Sequence, residues 1–232
     1  GPVLKSTVGH ENEDALITPA LGPVGPTHSL RTGKQSARRD TLLELTRSLE
    51  PLVPGLSHSE VRAAYTVAQK RVADARSDLR AEYERRRVPP EEDITVVRTG
   101  RPYTVLDPVM NKGIPRLIAS QGVNAFFGDM LPAWEGGEYE GLLSETAWRY
   151  ARDILETART CALTDGLYPV LITSFKCSPD SFIIDFFTRI MEEHDKPFLI
   201  LQVDEHDSGV GYETRVEAGI RAFRNHHRVT TS

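Results

Sequence analysis

Residues 169–181 read Pro-Val-Leu-Ile-Thr-Ser-Phe-Lys-Cys-Ser-Pro-Asp-Ser, and the choice of fold rests on how this stretch is parsed. The apolar run at 170–172 predicts a buried strand, and Asp180 or Ser181 can cap a helix that follows it. Cys177 stands between the two, in a short turn with Ser178 and Pro179. Strand, tight turn and helix make half of a parallel α/β unit. In such a sheet the turn lies at the carboxyl end of its strand, where open α/β folds take their ligands.

The same alternation extends to both sides. Downstream, the helix is expected over residues 180–194, a fourth strand over 198–203 and a last helix over 212–224. Asp204-Glu205-His206-Asp207 lies between those last two. Upstream, 144–163 predicts a long helix, and a polar loop with Trp134, Gly136 and Gly137 precedes it. Residues 123–127 form a second strand ending at Gly128-Asp129. A helix over 107–121 stops at Gly122, and the β-branched run 94–97 is the first strand, followed by Gly100-Arg101-Pro102-Tyr103. Four strands, each followed by a helix, imply a parallel sheet covered on both faces. Right-handed crossovers then favour the order 2-1-3-4, with a crevice between strands one and three. The segments at 100–103 and 175–180 flank it, and Asp129 and residues 204–207 share the same rim.

The first 90 residues differ in kind. Residues 1–35 are rich in Gly, Pro, Thr and Ser and read as an extended or disordered arm. Gly1-Pro2-Val3-Leu4 resembles the scar of a cleaved tag, so the chain reads as an excised piece of a longer one. A helical segment occupies 36–90. Its first helix, 38–49, sets Leu42, Leu45 and Leu49 on one face. Its second opens with Ser57 and Glu60 as a capping box and runs to about Arg87. Apolar positions from Val61 to Leu79 recur there at helical spacing. Pro89-Pro90 marks the boundary with an α/β lobe over 91–232.

Composition narrows the function classes. The net charge of −5 gives no general attraction to nucleic acid. It is unevenly shared: residues 1–90 carry 14 Lys and Arg against 11 Asp and Glu, and the rest carry 14 against 22. A mildly basic arm on an acidic body suits a protein partner better than a nucleic-acid footprint. No run approaches the ~20 apolar residues of a membrane span, and no secretory signal is visible. Two cysteines cannot form a disulfide framework at this length, which suits a reducing cytoplasm. Cys161, near a helix end, reads as a small buried hydrophobe.

Cys177 is the sharpest candidate. A thiolate at a helix amino terminus has a lowered pKa and can act as nucleophile, redox thiol or metal ligand. The competing reading is an inert cysteine in a tight turn. As a nucleophile it would need a base, and His206 is the histidine on the predicted rim. As a cluster ligand it would need further thiolates from elsewhere. Arg101 could hold a phosphate or carboxylate with its fork of donors, and Tyr103 could close over a ligand or donate a hydrogen bond. Their plainer reading is a turn fixed by Pro102. The turn lacks both the Gly-x-Gly-x-x-Gly fingerprint and the P-loop pattern. Neighbours in extended chain face opposite ways, so residues 204–207 cannot all converge on a metal. Glu205 or His206 is expected to face the crevice, and His226-His227 to lie in solvent.

Four stretches together resemble one family: Gly100-Arg101-Pro102-Tyr103 with Asp107-Pro108 and Asn111; Phe127-Gly128-Asp129-Met130-Leu131-Pro132; Ser174 through Ser181; and Gln202 through Ser208 to Thr214-Arg215-Val216-Glu217-Ala218. They look like the carboxyl-terminal part of acyl-CoA dehydratase activase-related proteins. These are relatives of 2-hydroxyacyl-CoA dehydratase and benzoyl-CoA reductase subunits in anaerobic metabolism. The likeness runs from Ala15 to Phe223, and its specific motifs begin at Gly100. It implies a Rossmann-like lobe, one of two, with a 4Fe–4S cluster between them held by cysteines from both. Cys177 matches the ligand position of this lobe. It further implies a preceding lobe and an ATP-dependent activase as partners, an acyl-CoA as substrate, and low-potential electron transfer for radical dehydration or reduction. Arg101, Tyr103 and Glu205 or His206 would then be substrate or supporting groups. A homo-oligomer is left open. The first lobe's cysteines and any ATP-binding signature are absent here, so the chain alone is expected to hold no complete cluster. Ser178 stands where many relatives carry glycine. A partner-docking module using the helical segment, and a Cys177/His206 thiol enzyme or redox sensor, are the alternatives.

Overall fold

The computed structural model describes residues 34–132, 149–174, 178–203 and 209–231. The chain divides into two compact units, Gly1–Asp74 and Ala75–Ser232, and the division falls inside a helix.

In the first unit, helix α1 (Lys34–Leu49) is followed by the start of α2 (His58–Arg86). The predicted capping box is present. Glu60 Oε2 accepts the Ser57 backbone N–H at 2.9 Å, and the Glu60 N–H reaches Ser57 Oγ at 3.3 Å. Two of the helix's orphan donors are thereby satisfied reciprocally. The apolar spacing along α2 does not become a continuous buried face, since Val61 is buried but Val72 and Leu79 are exposed.

The second unit holds a four-stranded parallel sheet in the order β2-β1-β3-β4. Its strands are β1 (Thr95–Gly100), β2 (Asn124–Phe127), β3 (Leu167–Ser174) and β4 (Leu199–Val203). This is the predicted α/β order. β1 extends beyond the expected 94–97 because Arg98, Thr99 and Gly100 stay in register with Val170, Leu171 and Ile172 of β3. All eight residues of β3 are buried, as a central strand covered on both faces must be.

Of the expected helix over 107–121 only α4 (Ile114–Ser120) forms, and a single helical turn, α3 (Pro102–Val105), precedes it. Side chains compete with the helix between them. Asp107 Oδ1 accepts the N–H groups of Val109 and Met110, each at 2.9 Å. Asn111 donates to the Val105 carbonyl at 3.0 Å and accepts from the Gly113 N–H at 3.0 Å. Such local bonds offer the backbone an alternative to the helical ladder.

Helices α5 (Arg149–Leu163), α6 (Ser178–Glu192) and α7 (Gly209–Thr230) complete the unit. On one face of the sheet Val96, Tyr168, Val170 and Ile172 pack with Ile118 of α4 and Phe223 of α7. On the other, Leu171 packs with Leu155 and Ala158 of α5 and Phe187 of α6. A smaller group joins Val97, Phe126 and Cys161 to Tyr83 of α2. Cys161 is fully buried there, as predicted, and burial pushes its thiol pKa up.

His226-His227 is a correction. His227 is buried and its Nε2 lies 2.6 Å from the Pro90 carbonyl; His226 is half-buried with Nδ1 2.9 Å from the Tyr168 hydroxyl. These anchors carry α7 past the expected end at Arg224. Among the described residues no helix is long and apolar enough to cross a membrane.

Candidate functional site

The carboxyl ends of β1 and β3 meet at the sheet's switch point, and Gly100 sets how closely. Its φ is +151°, and a Cβ there would stand 2.2 Å from the Ile172 carbonyl oxygen and 2.7 Å from Val105 Cγ2. Only glycine fits both the dihedral and the space. Just beyond, Thr104 Oγ1 and Ser174 Oγ lie 3.1 Å apart and buried, tying α3 to the last residue of β3.

Arg101 and Tyr103 fall on this rim and meet each other. Arg101 Nη1 donates to the Tyr103 hydroxyl at 2.7 Å, and the guanidinium carbon is 5.9 Å from the ring centroid. Tyr103 is 45% exposed, so its side chain can be reached by a ligand. The crevice floor between Gly100, Ile172, Thr173 and Ile183 encloses only about 10 Å³, too little to admit an organic ligand. Cys177, Glu205 and His206 lie outside the described residues, as do Phe175, Lys176, Asp204 and Asp207. Residues 175–177 connect the end of β3 to the first residue of α6.

Beside the end of β2, a small cavity of about 70 Å³ is lined by Asp129, Asp153, Glu156, Thr157, Arg76 and Arg80, among others. Gly128 admits α5 here, because a Cβ would sit 2.3 Å from Thr157 Oγ1. Burial raises the pKa of the Asp153 carboxyl; the Arg149 charge opposes this and the Asp129 charge adds to it. Arg149 Nε stands 3.7 Å away, a loose ion pair. Asp129, expected on the rim, thus belongs to a charged corner beside the crevice.

A cleft of about 870 Å³ lies at the other end of the sheet, before β1 and β3 and along α7. Its size does not make it the site. Arg224 is paired with Asp93 at 3.1 Å and Arg221 with Glu217 at 3.4 Å, so both guanidinium groups already have carboxylates. Burial alone would raise the Asp93 carboxyl. The Arg224 hydrogen bond, the Ile94 N–H and the neighbouring positive charge together hold it below the usual carboxylate range. This is a clasp joining α7 to the lead into β1.

Arg98, near the carboxyl end of β1, belongs to none of the motifs above. It lies on β1 between Phe127 of β2 and Val170 of β3, and its Cζ is 4.1 Å from the Phe127 ring centroid. Its Nε is buried without a partner, and burial lowers its pKa. The available signal was a lone arginine inside the β-branched run Thr95-Val96-Val97-Arg98-Thr99.

Among the described residues no group of three or more His, Cys, Asp or Glu side chains could hold a metal ion. With Cys161 sealed in the core, Cys177 is the sole thiol left to offer one. The residues present therefore do not fit a complete iron–sulfur cluster.

Fold and rim define a doubly wound α/β domain with one topological switch point, preceded by a helical region. The chain belongs to the CoA enzyme activase uncharacterised domain family, whose sequence profile matches residues 3–131. That match covers the helical region, β1 and β2, and ends before β3. No curated protein and no solved structure matches the chain.

Proposed function

We propose that this chain is one lobe of an iron–sulfur protein related to 2-hydroxyacyl-CoA dehydratases, and that Cys177 is its single thiolate contribution to a 4Fe–4S cluster. The observation that carries the reading is topological. In the chain Cys177 falls between β3, which ends at Ser174, and α6, which begins at Ser178, and β3 pairs with β1 up to Gly100, the residue before the Arg101–Tyr103 pair. Membership of a CoA enzyme activase family supports the same class of partner.

The remaining cluster ligands come from polypeptide other than this chain, because Cys161 is buried in the core and its thiol stays protonated. When bound, such a cluster supplies low-potential electrons for dehydration or reduction of an acyl-CoA, and an ATP-dependent activase delivers them. This chain's residues do the rest. Arg101 and Tyr103 orient an acidic or carbonyl group of the substrate over the rim. Glu205 or His206 holds or moves a proton there. The Thr104–Ser174 contact fixes the strand end from which Cys177 departs.

The test compares the complete parent protein with its Cys177→Ala variant after anaerobic reconstitution, by iron content and visible absorption. Loss of iron and of the charge-transfer absorption in the variant is expected. Equal iron in the two proteins overturns the assignment.

A further inference from the structure

Arg98 is a partly exposed cation with no anion beside it among the described residues. Its Nε is sealed from solvent with no acceptor, and its guanidinium has no carboxylate partner among the described residues. A guanidinium keeps its proton at any pH a folded protein meets, so it cannot neutralise itself as a buried lysine can. Burying a charged donor without a partner is costly, and here the cost falls on the Nε end, since the rest of the residue is partly exposed. The guanidinium carbon stands over the Phe127 ring, 4.1 Å from its centroid. The terminal nitrogens have no hydrogen-bond partner among the described residues, and partial exposure leaves them within reach of a ligand.

Nothing in the strand calls for arginine at this position. Val96 and Val97, its neighbours in β1, are fully buried and apolar. By the alternation of a strand, Arg98 shares with Val96 the face packed by α4 and α7. It pairs with Phe127 and Val170, two residues before Gly100 ends the strand at the switch point. Open α/β sheets bind ligands beyond that end.

We propose that Arg98 is an oxyanion-recognition residue, whose terminal nitrogens form a two-pronged fork for a carboxylate or phosphate group of a ligand reaching the carboxyl ends of β1 and β2. Planar, bidentate recognition of those two groups is what distinguishes arginine from lysine. The site does not depend on Cys177 or on any cluster, so it stands or falls apart from the proposed function.

The experiment follows thermal unfolding of the whole chain against inorganic phosphate and, separately, acetate, with chloride holding ionic strength constant. Wild type, Arg98→Met and Arg98→Lys are compared. Wild type should show a saturable rise in Tm. Arg98→Met should be at least as stable without anion, since the unpaired charge is gone, and should lose the response. Arg98→Lys keeps the charge and loses the fork, so its apparent Kd should weaken about tenfold or more. A response to phosphate alone identifies a phosphoryl group, to acetate alone a carboxylate, and to both the shared chemistry. Absence of any saturable rise in wild type overturns the proposal, as does an equal rise in Arg98→Met. Should Arg98→Met not fold, an unchanged Kd in Arg98→Lys overturns it and a tenfold loss supports it.

Discussion

Replacing Gly100 by alanine should loosen the junction on which the rim is built. The added Cβ would lie 2.2 Å from the Ile172 carbonyl oxygen and 2.7 Å from Val105 Cγ2, against backbone on one side and a core side chain on the other. Neither neighbour can yield freely, because Ile172 is held in the β1–β3 ladder and Val105 in the core. Backbone strain at a glycine-type dihedral costs about 1–3 kcal/mol, and overpacking a dense interior adds about 1–3 kcal/mol. The expected loss is therefore about 2–6 kcal/mol, a large part of the ~5–15 kcal/mol that holds most domains folded. With a urea slope of about 2 kcal/mol per molar, the unfolding midpoint should fall by about 1–3 M. Gly122→Ala is the control, since its φ is also positive (+67°) but its Cβ would meet nothing within 4 Å. It should lose only the dihedral part, about 1–2 kcal/mol. Circular dichroism in urea reads both variants. Equal midpoints for the two would refute the close approach of β1 to β3.

Asp153→Asn should raise Tm at neutral pH. Burial lifts the folded-state pKa of this carboxyl, so its contribution to stability is complete below the unfolded pKa and is lost as pH rises through the folded value. Melting curves across acid and neutral pH should show the variant ahead at neutral pH and the gap closing in acid; a constant gap would point to packing instead. Thiol titration of the native chain should count no more than one reactive group, and unfolding in denaturant should bring the count to both cysteines. Cys161 is fully buried with its thiol pKa pushed up, so two reactive thiols in the native state would contradict its place in the core.

Much of the architecture could be read from the order of residues. Short β-branched and apolar runs alternating with helical periodicity allow few right-handed arrangements, and the sheet order 2-1-3-4 is one of them. The Ser57–Glu60 cap is a contact within four residues and was legible for that reason. The break between α3 and α4 was harder, because the carboxamide of Asn111 and the carboxylate of Asp107 can serve a helix or a turn equally well in sequence. Of the predicted site, Arg101 and Tyr103 come together on the rim, a contact two residues apart.

Local chemistry, then, was enough to set the strands, the helices and the end of the sheet where a ligand would lie. Long-range packing decided the rest. It buried His227 against Pro90, more than a hundred residues away, sealed Cys161 in the core, and left Arg98 partly exposed beside an aromatic ring, its Nε buried without a partner. Each of these depends on which distant groups arrive beside a side chain, and pairing, solvation and charge are set by those neighbours rather than by the residue's own position in the chain.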